Sequence, residues 1–146
     1  MQYRQEGNMI LLRLDQGEEL LSEIRAFCRE RQIYGAIFFG IGACSSAVTA
    51  TYLPDAEIFT DHRAEGMLEL VSLTGNICLE NGEVREHTHA LFSFLDPTGS
   101  QQLLAGHLKS AIVSYTAEIT LFVTAPIEKI RDSNTGIMVW NLMPED

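Results

Sequence analysis

GMLELVSLTGNICLENGEVREHTHALFSFLDPTGSQQLLAGH, residues 66–107, is the stretch whose reading decides the fold. It holds three of the four histidines and two turn signals. Asn81-Gly82 is the strongest short hairpin signal and favours a two-residue type I′ loop. Pairing about that loop sets Asn76 opposite His87 and Thr74 opposite His89. The second signal is Asp96-Pro97-Thr98-Gly99. A three-residue loop over 97–99, with Gly99 left-handed, sets His89 directly opposite His107.

Side chains alternate along a strand, so His87 and His89 share one face, starting about 7 Å apart along the chain. Ser72, Thr74 and Asn76 lie on that face of the preceding strand, and Val71, Leu73, Gly75 and Ile77 on the reverse. The same alternation puts Glu69 on the face away from the histidines, which suits a subunit-interface or structural role. Three adjacent strands thus converge on a polar patch of three imidazoles, two hydroxyls and an amide. The arrangement depends on parity: a four-residue second loop turns His107 to the other face.

Outward from this stretch, the clearest local element is a helix over 16–31. Leu20, Leu21, Ile24, Phe27 and Cys28 form one face, and Glu18, Glu19, Glu23, Arg25 and Arg29 the others. The acids lead and Arg25, Arg29 and Arg31 trail, which matches the helix dipole. The apolar stripe should lie on a sheet. Strands are expected at 8–14, 37–41, 46–53, 58–63, 68–79, 84–95, 103–107, 111–124 and 137–142. The segment 36–53 is apolar, but Gly40, Gly42, Ser45, Ser46, Thr49 and Thr51 interrupt it, so it reads as two buried strands rather than a membrane span. Pro54-Asp55 breaks the second of them. Leu91, Phe92, Phe94 and Leu95 make the strand after His89 apolar on both faces, hence central.

The fold class is therefore α+β: a mainly antiparallel curved sheet or partly closed barrel, with one main amphipathic helix packed on it. The 146 residues suit a single domain, 1–146. The helix covers one sheet face. The other apolar face needs a cover, and a second copy of the chain is the simplest supply.

Composition narrows the function. Twenty acids against ten bases give a net charge of −10, a poor start for meeting phosphates. Cys28, Cys44 and Cys78 are odd in number, lack C-x-x-C spacing, and read as reduced thiols of a cytoplasmic protein. The opening MQYRQEGNM is polar and unlike a signal peptide. No base is tied by spacing to Cys44-Ser45-Ser46 as a nucleophile, and His62, between Asp61 and Arg63, reads as a solvated residue.

The histidine face is the sharpest chemical feature. Neutral imidazoles suit Zn²⁺, and His87, His89 and His107 plus water make an open, catalytic-type tetrahedron. Such an ion lowers the pKa of its water to near 7. Ser72, Thr74 and Asn76 then serve as supporting partners or as a ligand pocket. Imidazole also accepts Ni, Cu and Fe, so a divalent metal is the firmer statement and zinc the best-fitting ion. The bland alternative is a polar network of packed histidines.

Five segments, in this order, resemble the plants-and-prokaryotes-conserved (PPC) domain over about residues 13–124. They are GEELLSEIRAFCRERQI from Gly17, GIGACSSA from Gly40 to Ala47, GMLELVSLTG from Gly66 to Gly75, the H-x-H of His87 and His89, and AGHL around His107. The resemblance implies a homotrimer of α/β subunits with an antiparallel sheet. Plant members follow an AT-hook with this domain, which serves self-association and partner binding. Stand-alone prokaryotic members are described as predicted DNA-binding proteins, and some carry the histidine cluster. Here no AT-hook is present, and Met67-Leu68 replaces the plant-type Arg-Phe. With the acidic balance, these departures argue against direct DNA binding.

The reading that results is a cytoplasmic, homotrimeric binding and regulatory module with a three-histidine metal site. Its partners are further copies of itself and a protein or small molecule, with no membrane. The alternative is a metal-dependent enzyme acting on a small molecule through metal-activated water, whose general base the sequence does not name.

Overall fold

A computed structural model describes residues 1–56 and 58–142, so the last four residues of the expected 1–146 domain lie outside the described part. The chain opens with β1 (Gln2–Glu6), β2 (Met9–Asp15) and α1 (Leu20–Glu30). Four long strands follow: β3 (Ala36–Leu53), β4 (Ile58–Glu80), β5 (Glu83–Leu95) and β6 (Gln101–Val123). A small hairpin of β7 (Lys129–Arg131) and β8 (Met138–Trp140) ends the described chain. The main sheet runs β1-β2-β6-β3-β4-β5, and β5 pairs back onto β6. Strands β3 to β6 therefore form a ring of ladders, all antiparallel. The architecture is α+β, a mainly antiparallel curved sheet carrying one helix. No described helix is long and apolar enough to cross a membrane.

Helix α1 buries Leu20, Leu21, Ile24, Phe27 and Cys28, the stripe its 3.6-residue spacing places on one face. They join one core with Leu12 and Leu14 of β2, Phe38 of β3, Leu73 and Ile77 of β4, and Phe92 of β5. Burying Leu20, Leu21, Ile24 and Phe27 stabilises the fold by about 1.5–3 kcal/mol each. The helix starts later than the spacing suggests because Glu19 caps it. The Glu19 carboxylate accepts from the Leu21 and Ser22 amides, and from Ala111 N of β6 at 3.1 Å. One side chain thus ends the helix and ties it to the sheet.

Of the three arginines, Arg29 lies in the last turn of the helix and Arg31 at its C-cap, where the dipole favours them, whereas Arg25 turns to the sheet. Arg25 Nε and Nη2 donate to Glu86 of β5 at 2.7 and 2.5 Å, a two-pronged pair across the helix–sheet interface. Arg31 lies over the Tyr3 ring at 4.4 Å.

Six expected strands merge into three. The segments 37–41 and 46–53 are one strand, β3; 58–63 and 68–79 are β4; 103–107 and 111–124 are β6. The small residues after Ile41 mark bulges rather than a turn, because the β3–β4 register shifts between Gly40 and Gly42 and again between Cys44 and Ser46. A Cβ on Gly42 would stand 2.4 Å from Thr116 O, so the backbone of β6 occupies that space. Pro54-Asp55 opens a single 3₁₀ turn between β3 and β4. Strand β1 has no counterpart in the expected set; the two-residue loop Gly7-Asn8 folds it onto β2.

One bulge changes the face assignment in the deciding stretch. Leu70 faces Phe92 and Ser72 faces Leu91, so Val71 is the extra residue. Alternation flips there. Val71 is 48% exposed instead of buried with Leu73 and Ile77, and Leu68 and Leu70 take the inner positions. Glu69 accordingly lies on the outer, exposed side that Thr74 and the histidines occupy, not on the reverse face.

Candidate metal centre

The two turns set the register of the site. Asn81 and Gly82 both take positive φ, 53° and 78°, as a type I′ loop requires, and Glu80 faces Glu83. Asn76 stands opposite His87 and Thr74 opposite His89. At the second turn Gly99 is left-handed at φ 82°, and the Asp96 carboxylate accepts from Thr98 N, Thr98 Oγ1 and Ser100 N. The closed loop has three residues, and His89 faces His107.

Three imidazoles come together as a result. One ring nitrogen of each of His87, His89 and His107 lies within 4.8 Å of the other two. His87 Nε2 and His107 Nδ1 are 3.2 Å apart, and those two rings stack at 18°. The His89 and His107 ring centroids are 4.1 Å apart. Phe59 meets the outer side of His107 edge-on at 5.1 Å. Among the described residues no carboxylate belongs to the group. Burial first, then the Lys129 ammonium and the two other imidazoles, hold His87 below the usual histidine range. Burial, then His89, does the same for His107. Both rings are therefore neutral at pH 7, with a lone pair free. Three imidazole nitrogens converging from two exposed rings and one half-buried ring fit a borderline-soft divalent ion.

Thr74, Asn76, His87 and His89 line one cavity of about 400 Å³ with Ile37, Phe39 and Trp140. Asn76 Oδ1 is out of water and has no hydrogen-bond partner. Ser72 is exposed and lines the neighbouring groove with Phe39, Ile41 and Val71 instead. Ile37, Phe39, Trp140 and Lys129 are absent from any reading based on local spacing. The β7–β8 hairpin brings the last two: Leu79 N donates to Ile127 O at 2.8 Å, which docks the segment beside β4, and Lys129 pairs with Trp140. The one available signal was that Trp140 is the only tryptophan.

The remaining candidates are structural. Cys44 is buried and its thiol is pushed up to about 11 by burial, far from nucleophilic. Ser45 Oγ donates to Ile112 O. His62 is exposed and contacts the Thr51 hydroxyl. Buried Cys78 directs its Sγ at Arg85 O.

The model of the Plants and Prokaryotes Conserved (PCC) domain matches residues 1–125. Among solved structures, a PPC protein of Pyrococcus horikoshii is 31% identical, covering 95% of this chain and 94% of that one, with a TM-score of 0.77. A metal-containing protein of Archaeoglobus fulgidus is 30% identical over 96% and 98%, with a TM-score of 0.79. A candidate DNA-binding protein of Bacteroides thetaiotaomicron is 26% identical over 96% of each chain, with a TM-score of 0.85. No curated protein matches the sequence.

Proposed function

The chain belongs to the Plants and Prokaryotes Conserved domain family, and from that premise we propose that it is a cytoplasmic, homotrimeric binding module that holds one divalent ion, zinc by preference, on His87, His89 and His107. The observation that carries this reading is the convergence of three imidazole nitrogens within 4.8 Å on an exposed face. The similar Archaeoglobus fulgidus protein, described as metal-containing, supports it. A zinc ion on three imidazoles offers Lewis acidity and an open fourth position. Thr74 and Asn76 support the site from the next strand, opposite His89 and His87. Ser72 stands further off and borders the groove beside them.

Self-association rests on the outer sheet face. Ile41, Met67 and Val71 are about half exposed there, a patch that a monomer gains by covering. Direct DNA binding is not part of the proposal: a net charge of −10 opposes the phosphate contacts that dominate such affinity. A second reading, a metal-dependent enzyme on a small molecule, is favoured by the cavity of about 400 Å³ beside the histidines.

Elemental mass spectrometry of tag-free protein tests the site. The expected result is about one zinc per subunit in the native chain and none in His89→Ala, with sedimentation of the trimer unchanged. Full metal retention by that variant would overturn the assignment.

A further inference from the structure

Residues 126–142 lie beyond the family match, yet they shape the site. Trp140 of β8 forms one wall of the cavity that His87 and His89 enter, and Phe39 and Ile37 of β3 line it with them. Phe39 is 51% exposed, so its ring faces open space instead of the core. Thr74 and Asn76 also border the cavity, whose lining is mainly apolar. Asn76 Oδ1 itself is buried and out of reach of the cavity. Cross-strand partners share a face, so Lys129 accompanies Trp140 on the cavity side of the small hairpin. In a chain of net charge −10, this corner sets the Lys129 ammonium near the three imidazoles, and among the described residues no carboxylate joins the histidine group.

Aromatic walls in a mainly apolar lining, with local positive charge at one end, define a ligand class. We infer that the cavity is a binding subsite for a small planar aromatic acid, which lays its ring against Trp140 and Phe39 and directs its carboxylate to the histidine corner. The volume of about 400 Å³ suits a one- or two-ring molecule. The inference rests on the metal reading, since the ion supplies most of the positive charge that the carboxylate meets.

The single tryptophan makes the test direct, because all indole fluorescence comes from Trp140. Zinc-loaded protein, its metal content measured in the same sample, is titrated with 4-hydroxybenzoate and with the non-planar cyclohexanecarboxylate. The expected result is saturable quenching by 4-hydroxybenzoate, and binding about tenfold weaker for the non-planar acid, the scale of one aromatic contact. Calorimetry with Trp140→Leu should show a similar loss for 4-hydroxybenzoate alone. Wild-type selectivity carries the test if that variant misfolds. Absence of saturation up to about 10 mM in protein that holds one zinc overturns the subsite and leaves the metal reading standing. Equal affinity for the two acids also overturns it. Failure to load zinc removes both.

Discussion

His107 faces His89 across the β5–β6 ladder and Ala50 across the β3–β6 ladder, so a single residue sits where two ladders meet on β6. The backbone beneath that imidazole is held from both sides. His87 and His89 are two residues apart on one strand, so their spacing is also set by the sheet. The three rings are brought together by strand pairing alone, before any ion is bound.

Such a site predicts a small folding cost for losing a ring and a larger effect of losing the ion. His87 and His89 are exposed, so His87→Ala or His89→Ala should change the stability of metal-free protein by no more than about 0.5 kcal/mol. Zinc at about 100 times its dissociation constant should stabilise the wild type by about 2.7 kcal/mol and leave either variant unmoved. Thermal melts with zinc and with a chelator read both effects. A wild-type midpoint indifferent to zinc would contradict the metal site.

The charge argument gives a prediction that separates this chain from the description attached to some of its structural relatives. Mobility shifts with duplex DNA at ~0.15 M salt should show little binding. Twenty acidic residues against ten basic ones oppose approach to phosphates and leave few bases to release counterions. Tight binding that weakens steeply with added salt would defeat the argument.

What could be read from residues alone follows from how local each feature is. The helix stripe, the Asn81-Gly82 loop and the Asp96-Gly99 loop are decided within a few residues, and together they place three histidines on one face. The β1–β2 hairpin was equally local, since Gly7-Asn8 is a two-residue turn signal, but the polar strand beside it hid its role. The Val71 bulge is different in kind. It exists only in the pairing of β4 with β5, so alternation counted along one strand misplaces Glu69 and Val71 while leaving Thr74 and Asn76 correct. Arg25 meets Glu86 61 positions away, and Trp140 reaches the site through a hairpin docked on Leu79. Neither contact has a signature in spacing.

Gly75 lies between Thr74 and Asn76, on the core side of the site. A Cβ there would meet Phe38 Cζ at 2.3 Å and His87 O at 2.8 Å. Phe38 is buried, so its ring has nowhere to go. Gly75→Ala should destabilise the fold by about 1–3 kcal/mol, read as a lower urea midpoint at unchanged slope. It should also weaken zinc binding, because relief of the clash displaces the backbone of His87. An unchanged midpoint would mean that β4 and β5 separate more easily than this packing implies.

Asp96 links the second turn to pH. Hydrogen bonds from Thr98, Ser100 and Gln102 lower its carboxyl from 3.8 to about 2. A carboxylate lowered by folding stabilises the native state fully above its unfolded value, and that contribution is lost as pH falls through the folded value. Asp96→Ala should therefore have a lower urea midpoint than the wild type at pH 7. The gap should hold down to about pH 5 and close progressively below it. The same substitution loosens the loop that sets His89 opposite His107, so zinc affinity at pH 7 should fall along with the midpoint. A gap in midpoint that is as wide near pH 3 as at pH 7 would show that the turn draws its stability from backbone geometry rather than from the Asp96 carboxylate.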